Sequence, residues 1–185
     1  MIDPATLAVS FGRELETRDI LYALTGSVAA SFFGEPRSTI DIDFTVMTAA
    51  SQLGQLTELR EEFYVPESAI SQASTQFGSF NLIHHASGMK VDIFVLDDSP
   101  FNNILMERRV KMQLPAGHVW VASPEDVTAR KIRWYAMTDE TSERQRRDIM
   151  ALLTYGNVDV DQVIATAELV GLGELARRLA NEAAP

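Results

Sequence analysis

The segment STIDIDFTV, residues 38–46, restricts most strongly how this chain can fold. Its β-branched residues and its alternation of apolar and polar side chains predict a β-strand. Because side chains two residues apart on a strand point the same way, Asp41 and Asp43 are expected on one face. The residues expected on the opposite face are Ile40, Ile42 and Phe44. Buried carboxylates are costly unless they are paired, hydrogen-bonded or bound to a cation, so the fold must supply a partner.

The composition limits the class of protein. A chain of 185 residues suits one domain, or a compact domain with a small helical appendage. The absence of cysteine excludes disulfides and cysteine metal sites. The sequence begins without a signal-peptide pattern, and no apolar run approaches the ~20 residues of a membrane helix. We therefore expect a cytoplasmic protein with no membrane partner.

Charge is unevenly distributed along the chain. The net charge of −10 argues against non-specific nucleic-acid binding, yet residues 101–147 hold nine Lys and Arg against six Asp and Glu. Solvated helix faces would explain these basic residues, and so would a positive surface that accepts a triphosphate or an RNA backbone. The basic clusters are Arg108, Arg109 and Lys111; Arg130, Lys131 and Arg133; and Arg144, Arg146 and Arg147.

Periodicity and capping residues outline the order of helices and strands. Helices are predicted at about 4–18, 27–34, 50–63, 67–76, from 123 onward, and at 142–155, 159–170 and 172–182. Strands are predicted at 20–25 and 38–46, in a hairpin turning at Ser87-Gly88, and in two short strands around residues 115–117. This pattern predicts an α+β fold: a mixed sheet flanked by helices in residues 1–122, then a small helical part in residues 123–185.

Two further features surround the aspartate pair. Gly26-Ser27 lies at a predicted strand-to-helix turn, where a glycine lets a ligand approach the backbone and free N–H groups can bind an anion. Ser27 could equally be a plain helix cap, and the two roles are compatible. Asp92 lies in the middle of the apolar strand KVDIFV, residues 90–95. It could pair with Lys90 or a histidine, or it could join Asp41 and Asp43 if its strand lies beside theirs.

Three carboxylates on neighbouring strands would suit magnesium. Mg²⁺ prefers oxygen ligands and is commonly held by carboxylates together with substrate phosphates. Carboxylates this close repel one another unless a cation lies between them. A set of three can hold two ions, which activate an attacking hydroxyl and stabilise a leaving group. We therefore expect Mg²⁺, with Mn²⁺ as an alternative, at Asp41, Asp43 and Asp92.

The order of these motifs resembles the nucleotidyltransferase superfamily of the DNA polymerase beta type over residues 20–96. The stretch GSVAASFFGEPRSTIDIDFTV is similar in particular to AbiEii-like abortive-infection toxins and their minimal relatives. Those proteins have an Arg-x-Thr-x-Asp-x-Asp run, which here is Arg37, Thr39, Asp41 and Asp43. The later stretches SPEDVTARKIRWY and RQRRDIMALL also resemble the helical part of that group.

The resemblance implies an activity and roles for individual residues. The group transfers a nucleoside monophosphate from an NTP to a hydroxyl of the tRNA 3′ end or of a protein, and its toxins have cognate antitoxins. Asp41, Asp43 and Asp92 would bind metal, and Asp92 would help to deprotonate the acceptor. The residues implied in nucleotide binding are Gly26, Ser27, Lys131 and Asp148.

Two other classes of function stay open from the sequence. The chain could be a catalytically inactive antitoxin or regulatory binding protein that keeps the fold. It could also be another Asp-x-Asp metal enzyme, such as a sugar transferase, although Gly26-Ser27 before the acids would then have no explanation.

Overall fold

This computed structural model describes residues 2–35 and 39–184 of the chain. These residues contain a seven-stranded mixed sheet. The strand order is β3-β4-β5-β2-β1-β7-β6. Pairs β1–β7 and β2–β5 are parallel and the other neighbours are antiparallel. The predicted α+β class with a mixed sheet is confirmed. The strands are β1 Leu21–Thr25, β2 Asp41–Met47, β3 Phe63–Tyr64, β4 Ser79–His84, β5 Lys90–Val95, β6 Val110–Leu114 and β7 Gly117–Val121.

Most helices begin where the sequence offers a capping side chain. Asp3 Oδ1 accepts from Thr6 N at 2.9 Å before α1, and Ser123 Oγ accepts from Asp126 N at 3.1 Å before α6. Such caps satisfy N–H groups that have no partner within the helix. The helices are α1 Pro4–Thr17, α2 Gly26–Phe33, α3 Ala50–Gly54, α4 Glu67–Gln76, α5 Pro100–Arg108, α6 Pro124–Met137, α7 Glu143–Tyr155, α8 Val160–Glu168 and α9 Gly173–Ala183.

The predicted helix over 50–63 is wrong in extent. It is α3 followed by a 3-10 helix, Gln55–Glu61, and the chain then enters β3. The buried residues Leu53, Leu56 and Leu59 are spaced by three. Because a 3-10 helix aligns side chains at i and i+3, this spacing suits it better than a continuous α-helix. Helix α5 was not predicted from the sequence at all.

The described residues form two compact units. Unit 1 comprises residues 2–28, 39–98 and 109–121 and contains the whole sheet, whereas unit 2 comprises residues 29–35, 99–108 and 122–184. Helix α2 begins in unit 1 and ends in unit 2. The division into separate domains at residue 122 stays a prediction.

Aromatic side chains between α1 and the sheet form the centre of unit 1. Phe11 of α1 contacts Phe44 of β2 at 5.4 Å and Phe63 at 5.5 Å between ring centroids. Tyr22 meets Phe44 edge-on at 5.5 Å. Phe44 therefore points toward α1, and it lies on the face opposite to Asp41 and Asp43, as the alternation predicts. The expectation for Ile40 is wrong: it precedes β2 and is 71% exposed, because the alternation of the strand begins only at Asp41.

The helices of unit 2 pack around a second apolar core. Helix α6 contacts α7, α8 and α9, and α8 contacts α9. The buried residues that form this core are Ile132, Tyr135, Ile149, Val163, Ala167, Leu175, Ala176 and Leu179. The predicted run of helices after residue 123 is present in unit 2.

No helix within residues 2–35 and 39–184 is long and apolar enough to cross a membrane. A cytoplasmic location stays a prediction. Arg37, the first residue of the Arg-x-Thr-x-Asp-x-Asp run, lies outside the described residues.

The aromatic centre of unit 1 should be sensitive to truncation. Phe44 is fully buried against two rings, so Phe44→Ala should lower the free energy of unfolding by about 3–5 kcal/mol. The exposed Ile40 is the matched control, and Ile40→Ala should change the free energy of unfolding by no more than about 0.5 kcal/mol. Urea denaturation measures both variants, and equal losses would contradict this packing.

Candidate active site

Strands β2 and β5 bring the predicted acids onto one face of the sheet. They pair in parallel, with Asp43 opposite Asp92 and Asp41 opposite Lys90. Because the side chains alternate, all four of these residues face the same way. The opposite face of both strands is fully buried, at Ile42 and Phe44 in β2 and at Val91 and Ile93 in β5. The register therefore places the carboxylates together on the side away from the aromatic core.

Lys90 lies close to two of these carboxylates. Its Nζ lies 2.9 Å from Asp92 Oδ2 and 3.8 Å from Asp41 Oδ1. The hydrogen bond with Asp92 and the negative charges of Asp92, Asp41 and Asp43 raise the pKa of the Lys90 ammonium. Both sequence alternatives for Asp92 thus occur together: it pairs with Lys90, and it lies beside the other acids.

Gly26 lies against Asp43 at the end of β1. Its φ of +65° is a conformation that favours glycine, and a Cβ atom added there would overlap the Asp43 carboxylate. The neighbouring residue Thr25 is paired with Asp43, and its hydroxyl donates to the Asp43 carbonyl oxygen at 3.3 Å. Ser27 follows in the first turn of α2 and is buried. The glycine of the predicted phosphate-binding turn therefore contacts one of the predicted metal ligands.

The donor chemistry of this face suits a divalent cation, although the ligands are not preassembled. Within the described ranges, no three acidic or histidine side chains converge closely enough to form a ready metal site. The carboxylates of Asp41, Asp43 and Asp92 nevertheless share one face, and the ammonium of Lys90 already lies beside two of them. A positive charge is therefore accommodated here, and oxygen ligands of this kind are those that Mg²⁺ prefers.

Lys131 and Asp148 form a buried ion pair in unit 2. Lys131 Nζ on α6 lies 2.7 Å from Asp148 Oδ2 on α7, and their side chains are only 5% and 8% exposed. Two opposite charges in such a site stabilise each other, whereas either charge alone would be strongly destabilising. The sequence predicted both residues from the family resemblance, and the structure brings them into contact.

A cavity of about 230 Å³ lies beside Asp148 in unit 2. The residues that line it are Ala30, Ser31, Gly34, Glu35, Arg147, Asp148 and Ala151. Of these residues, Asp148 was implied in nucleotide binding and Arg147 belongs to a predicted basic cluster. All of them lie in the stretches that resemble the family, but the packing of the chain is needed to show that these residues line one cavity.

Several basic residues of the predicted clusters stabilise unit 2 internally. Arg108 Nη2 donates to Asp126 Oδ1 at 2.5 Å and to Thr166 Oγ1 at 2.7 Å. Arg130 Nη2 donates to Asn102 Oδ1 at 2.7 Å. These contacts explain part of the basic region without a nucleic-acid partner.

Solved structures of other proteins share this fold. An antigenic nucleotidyltransferase-like protein from Paracoccidioides brasiliensis is 17% identical, with 95% of this chain and 91% of that chain covered and a TM-score of 0.57. The antibiotic-resistance factor ANT(2'')-Ia is 10% identical, with coverages of 96% and 97% and a TM-score of 0.60. The lincosamide antibiotic adenylyltransferase LnuA, in a lincomycin-bound structure, is 15% identical, with coverages of 82% and 96% and a TM-score of 0.51. At these identities, the likeness shows a common nucleotidyltransferase fold.

The family follows from the sequence match. A family model described as nucleotidyl transferase AbiEii toxin, Type IV TA system, matches residues 14–178. The chain therefore belongs to the AbiEii family of nucleotidyltransferase toxins, and the predicted resemblance and enzyme class are confirmed. No curated protein matches the chain at a significant level.

The contact between Gly26 and Asp43 can be tested by adding one methyl group. Gly26→Ala should destabilise the protein by more than the ~1–2 kcal/mol that a left-handed conformation costs an alanine, because the new Cβ also displaces the Asp43 carboxylate. Gly88→Ala is the matched control, since Gly88 has φ +70° and no atom within 4 Å of its added Cβ. Thermal unfolding compares the two variants, and equal losses would contradict the close approach of Asp43.

The buried ion pair can be tested by removing one charge and then both. Lys131→Met should destabilise the protein by about 3–5 kcal/mol, because the buried carboxylate of Asp148 would lose its ion pair with Lys131. Adding Asp148→Leu should recover part of that loss. The exposed pair Arg146–Glu182 is the control, and Arg146→Ala should change the free energy of unfolding by no more than about 1 kcal/mol. If Lys131→Met and Arg146→Ala have equal effects in urea denaturation, the Lys131–Asp148 pair is not buried as described.

Proposed function

We propose that this protein transfers a nucleoside monophosphate from a magnesium-bound NTP to a hydroxyl of an RNA, the 3′ end of tRNA, as the toxin of a toxin–antitoxin pair. The proposal rests on one observation above all, the register that places Asp43 opposite Asp92 with Asp41 on the same face. Family membership supports the reaction class and the toxin role. Of the three classes of function that the sequence left open, the family match favours the nucleotidyltransferase.

The three carboxylates are proposed to hold two Mg²⁺ ions, with Mn²⁺ as a substitute. When bound, such ions neutralise charge on the phosphates and favour the ionised acceptor hydroxyl. Asp41 and Asp43 would act as ligands only. Asp92 would also accept the proton of the attacking hydroxyl, because it lies on the same face and is partly exposed. A bond then forms between the acceptor oxygen and the α-phosphorus, while the bond to the leaving pyrophosphate breaks.

The turn after β1 is proposed to hold the phosphates of the nucleotide. The backbone N–H groups at the start of α2 can donate to phosphate oxygens, and the glycine at position 26 leaves room for them. The Ser27 hydroxyl would add a donor. From the family resemblance, Lys131 is proposed to contact the triphosphate and Asp148 to orient Lys131, and the 2.7 Å ion pair supports this second role. Positioning of this kind provides most of the catalysis in phosphoryl transfer.

The partners are proposed to be an NTP, the tRNA acceptor and a cognate antitoxin. The net charge of −10 disfavours a long RNA contact, and the internal contacts of Arg108 and Arg130 withdraw two basic residues from such a contact. A short RNA end that reaches the carboxylates requires less positive surface than a duplex does, because each neutralised phosphate contributes separately to affinity. Transfer to a protein side chain is the other outcome of the test below.

Labelling with α-³²P NTPs tests this function. The protein is incubated with each NTP, Mg²⁺, and either bulk tRNA or cell extract. Wild type should label RNA, and Asp41→Asn with Asp43→Asn should reduce labelling by at least about a hundredfold, the order expected when groups that stabilise transition-state charge are lost. Asp161→Asn removes an exposed acid in the first turn of α8 and should label as wild type does.

The label identifies the acceptor. If label appears on protein instead of RNA and requires Asp41 and Asp43, the acceptor is a protein and the proposed reaction type stands. No transfer from any nucleotide, or transfer that persists without Asp41 and Asp43, would contradict the proposed function.

A further inference from the structure

Lys90 holds a position that a divalent cation would also require. Its ammonium lies 2.9 Å from Asp92 and 3.8 Å from Asp41, on the face that also carries Asp43. The strand register determines this placement, because Lys90 lies directly opposite Asp41 and two residues before Asp92. The pairing of β2 with β5 therefore places Lys90 among the three carboxylates.

Electrostatics explains what the lysine does in the metal-free protein. Three carboxylates on adjacent strands repel one another, and like charges directly opposite on a sheet are destabilising. A single positive charge between Asp92 and Asp41 reduces that repulsion. The same charge would repel an arriving Mg²⁺, and its hydrogen bond to Asp92 engages an oxygen that the metal would need.

The lysine is also able to leave. Its side chain is 39% exposed, and it carries the ammonium on a flexible four-carbon stem. Water can solvate the ammonium if it turns away from the carboxylates. By contrast, Lys131 pairs with Asp148 in a site where only 5% of the lysine side chain is exposed. Lys90 is therefore suited to exchange with another cation in a way that a buried lysine is not.

We propose that Lys90 is a built-in competitor of the divalent cation: in the metal-free protein its charge offsets part of the negative charge of Asp41, Asp43 and Asp92, and its ammonium moves away when metal binds. This inference rests on the proposed function, since it assumes that these acids are the metal ligands. Lys90 is a positioning residue under this account. It keeps the carboxylates together without metal and sets the metal concentration at which the site fills.

Metal binding without nucleotide gives the most direct test. The amount of bound Mn²⁺ is measured by electron paramagnetic resonance on the full chain. Lys90→Met should lower the Kd for Mn²⁺ by roughly three- to tenfold, the effect of removing two partly exposed charge pairs that compete with the metal. Lys111→Met removes one positive charge from β6 in the same unit and should change the Kd less than about twofold, because a distant exposed charge is screened by salt.

Two further measurements separate competition from a fold defect. Lys90→Arg keeps the charge and should bind Mn²⁺ no more tightly than wild type. In EDTA, Lys90→Met should melt below wild type because Asp92 and Asp41 have lost their ion pairs with Lys90. Added Mg²⁺ should then raise the melting temperature of Lys90→Met more than that of wild type.

The outcomes distinguish this inference from the proposed function. If wild type binds Mn²⁺ through Asp41 and Asp43 but Lys90→Met binds it equally or less tightly, Lys90 does not compete and only this inference fails. If neither wild type nor Lys90→Met binds Mn²⁺, both the inference and the proposed metal site fail. Tighter binding by Lys90→Met than by Lys90→Arg or Lys111→Met supports the competition.

Discussion

The parallel register between β2 and β5 is the constraint on which the rest of the site depends. It sets Asp43 opposite Asp92 and Asp41 opposite Lys90, and it sends Phe44 and Ile93 into the core on the other side. Because side chains alternate along a strand, a shift by one residue would exchange these two sets. The buried aromatic contacts of Phe44 with Phe11 and Tyr22 therefore also fix the face on which the charges lie. Packing on one side of the sheet thus determines the chemistry on the other.

The concentration of negative charge on this face explains which residues lie next to it. Lys90 supplies a counter-charge, and Gly26 leaves room for the Asp43 carboxylate where a larger residue would displace it. Unit 2 also contains a charged carboxylate, Asp148, and there the buried Lys131 neutralises it. An exposed pair can exchange its partner with solvent or metal, whereas a buried pair is committed to its partner. Lys90 is therefore suited to exchange with another cation, whereas Lys131 is suited to a permanent pair with Asp148.

Much of this arrangement was predictable from the sequence because alternation and capping are local signals. Asp41 and Asp43 follow from the strand pattern, and the helix cap predicted at Ser123 is present. Contacts between distant segments were not predictable. The sequence could say only that Asp92 would join Asp41 and Asp43 if β5 paired with β2. The failed elements have physical reasons: leucines spaced by three gave a 3-10 helix, and α5 buries Asn102 beside apolar residues, which obscures its helical pattern. The predicted roles of the acids, of Lys131 and of Asp148 remain predictions.

The location of Mn²⁺ in crystals of the protein grown with a non-hydrolysable NTP tests the central claim most directly. Anomalous scattering identifies the metal independently of any assumption about its ligands. The account predicts metal peaks bounded by Asp41, Asp43 and Asp92, with the Lys90 ammonium turned away from Asp92. Metal at another position, with Lys90 still bound to Asp92 in the presence of the nucleotide, would contradict it.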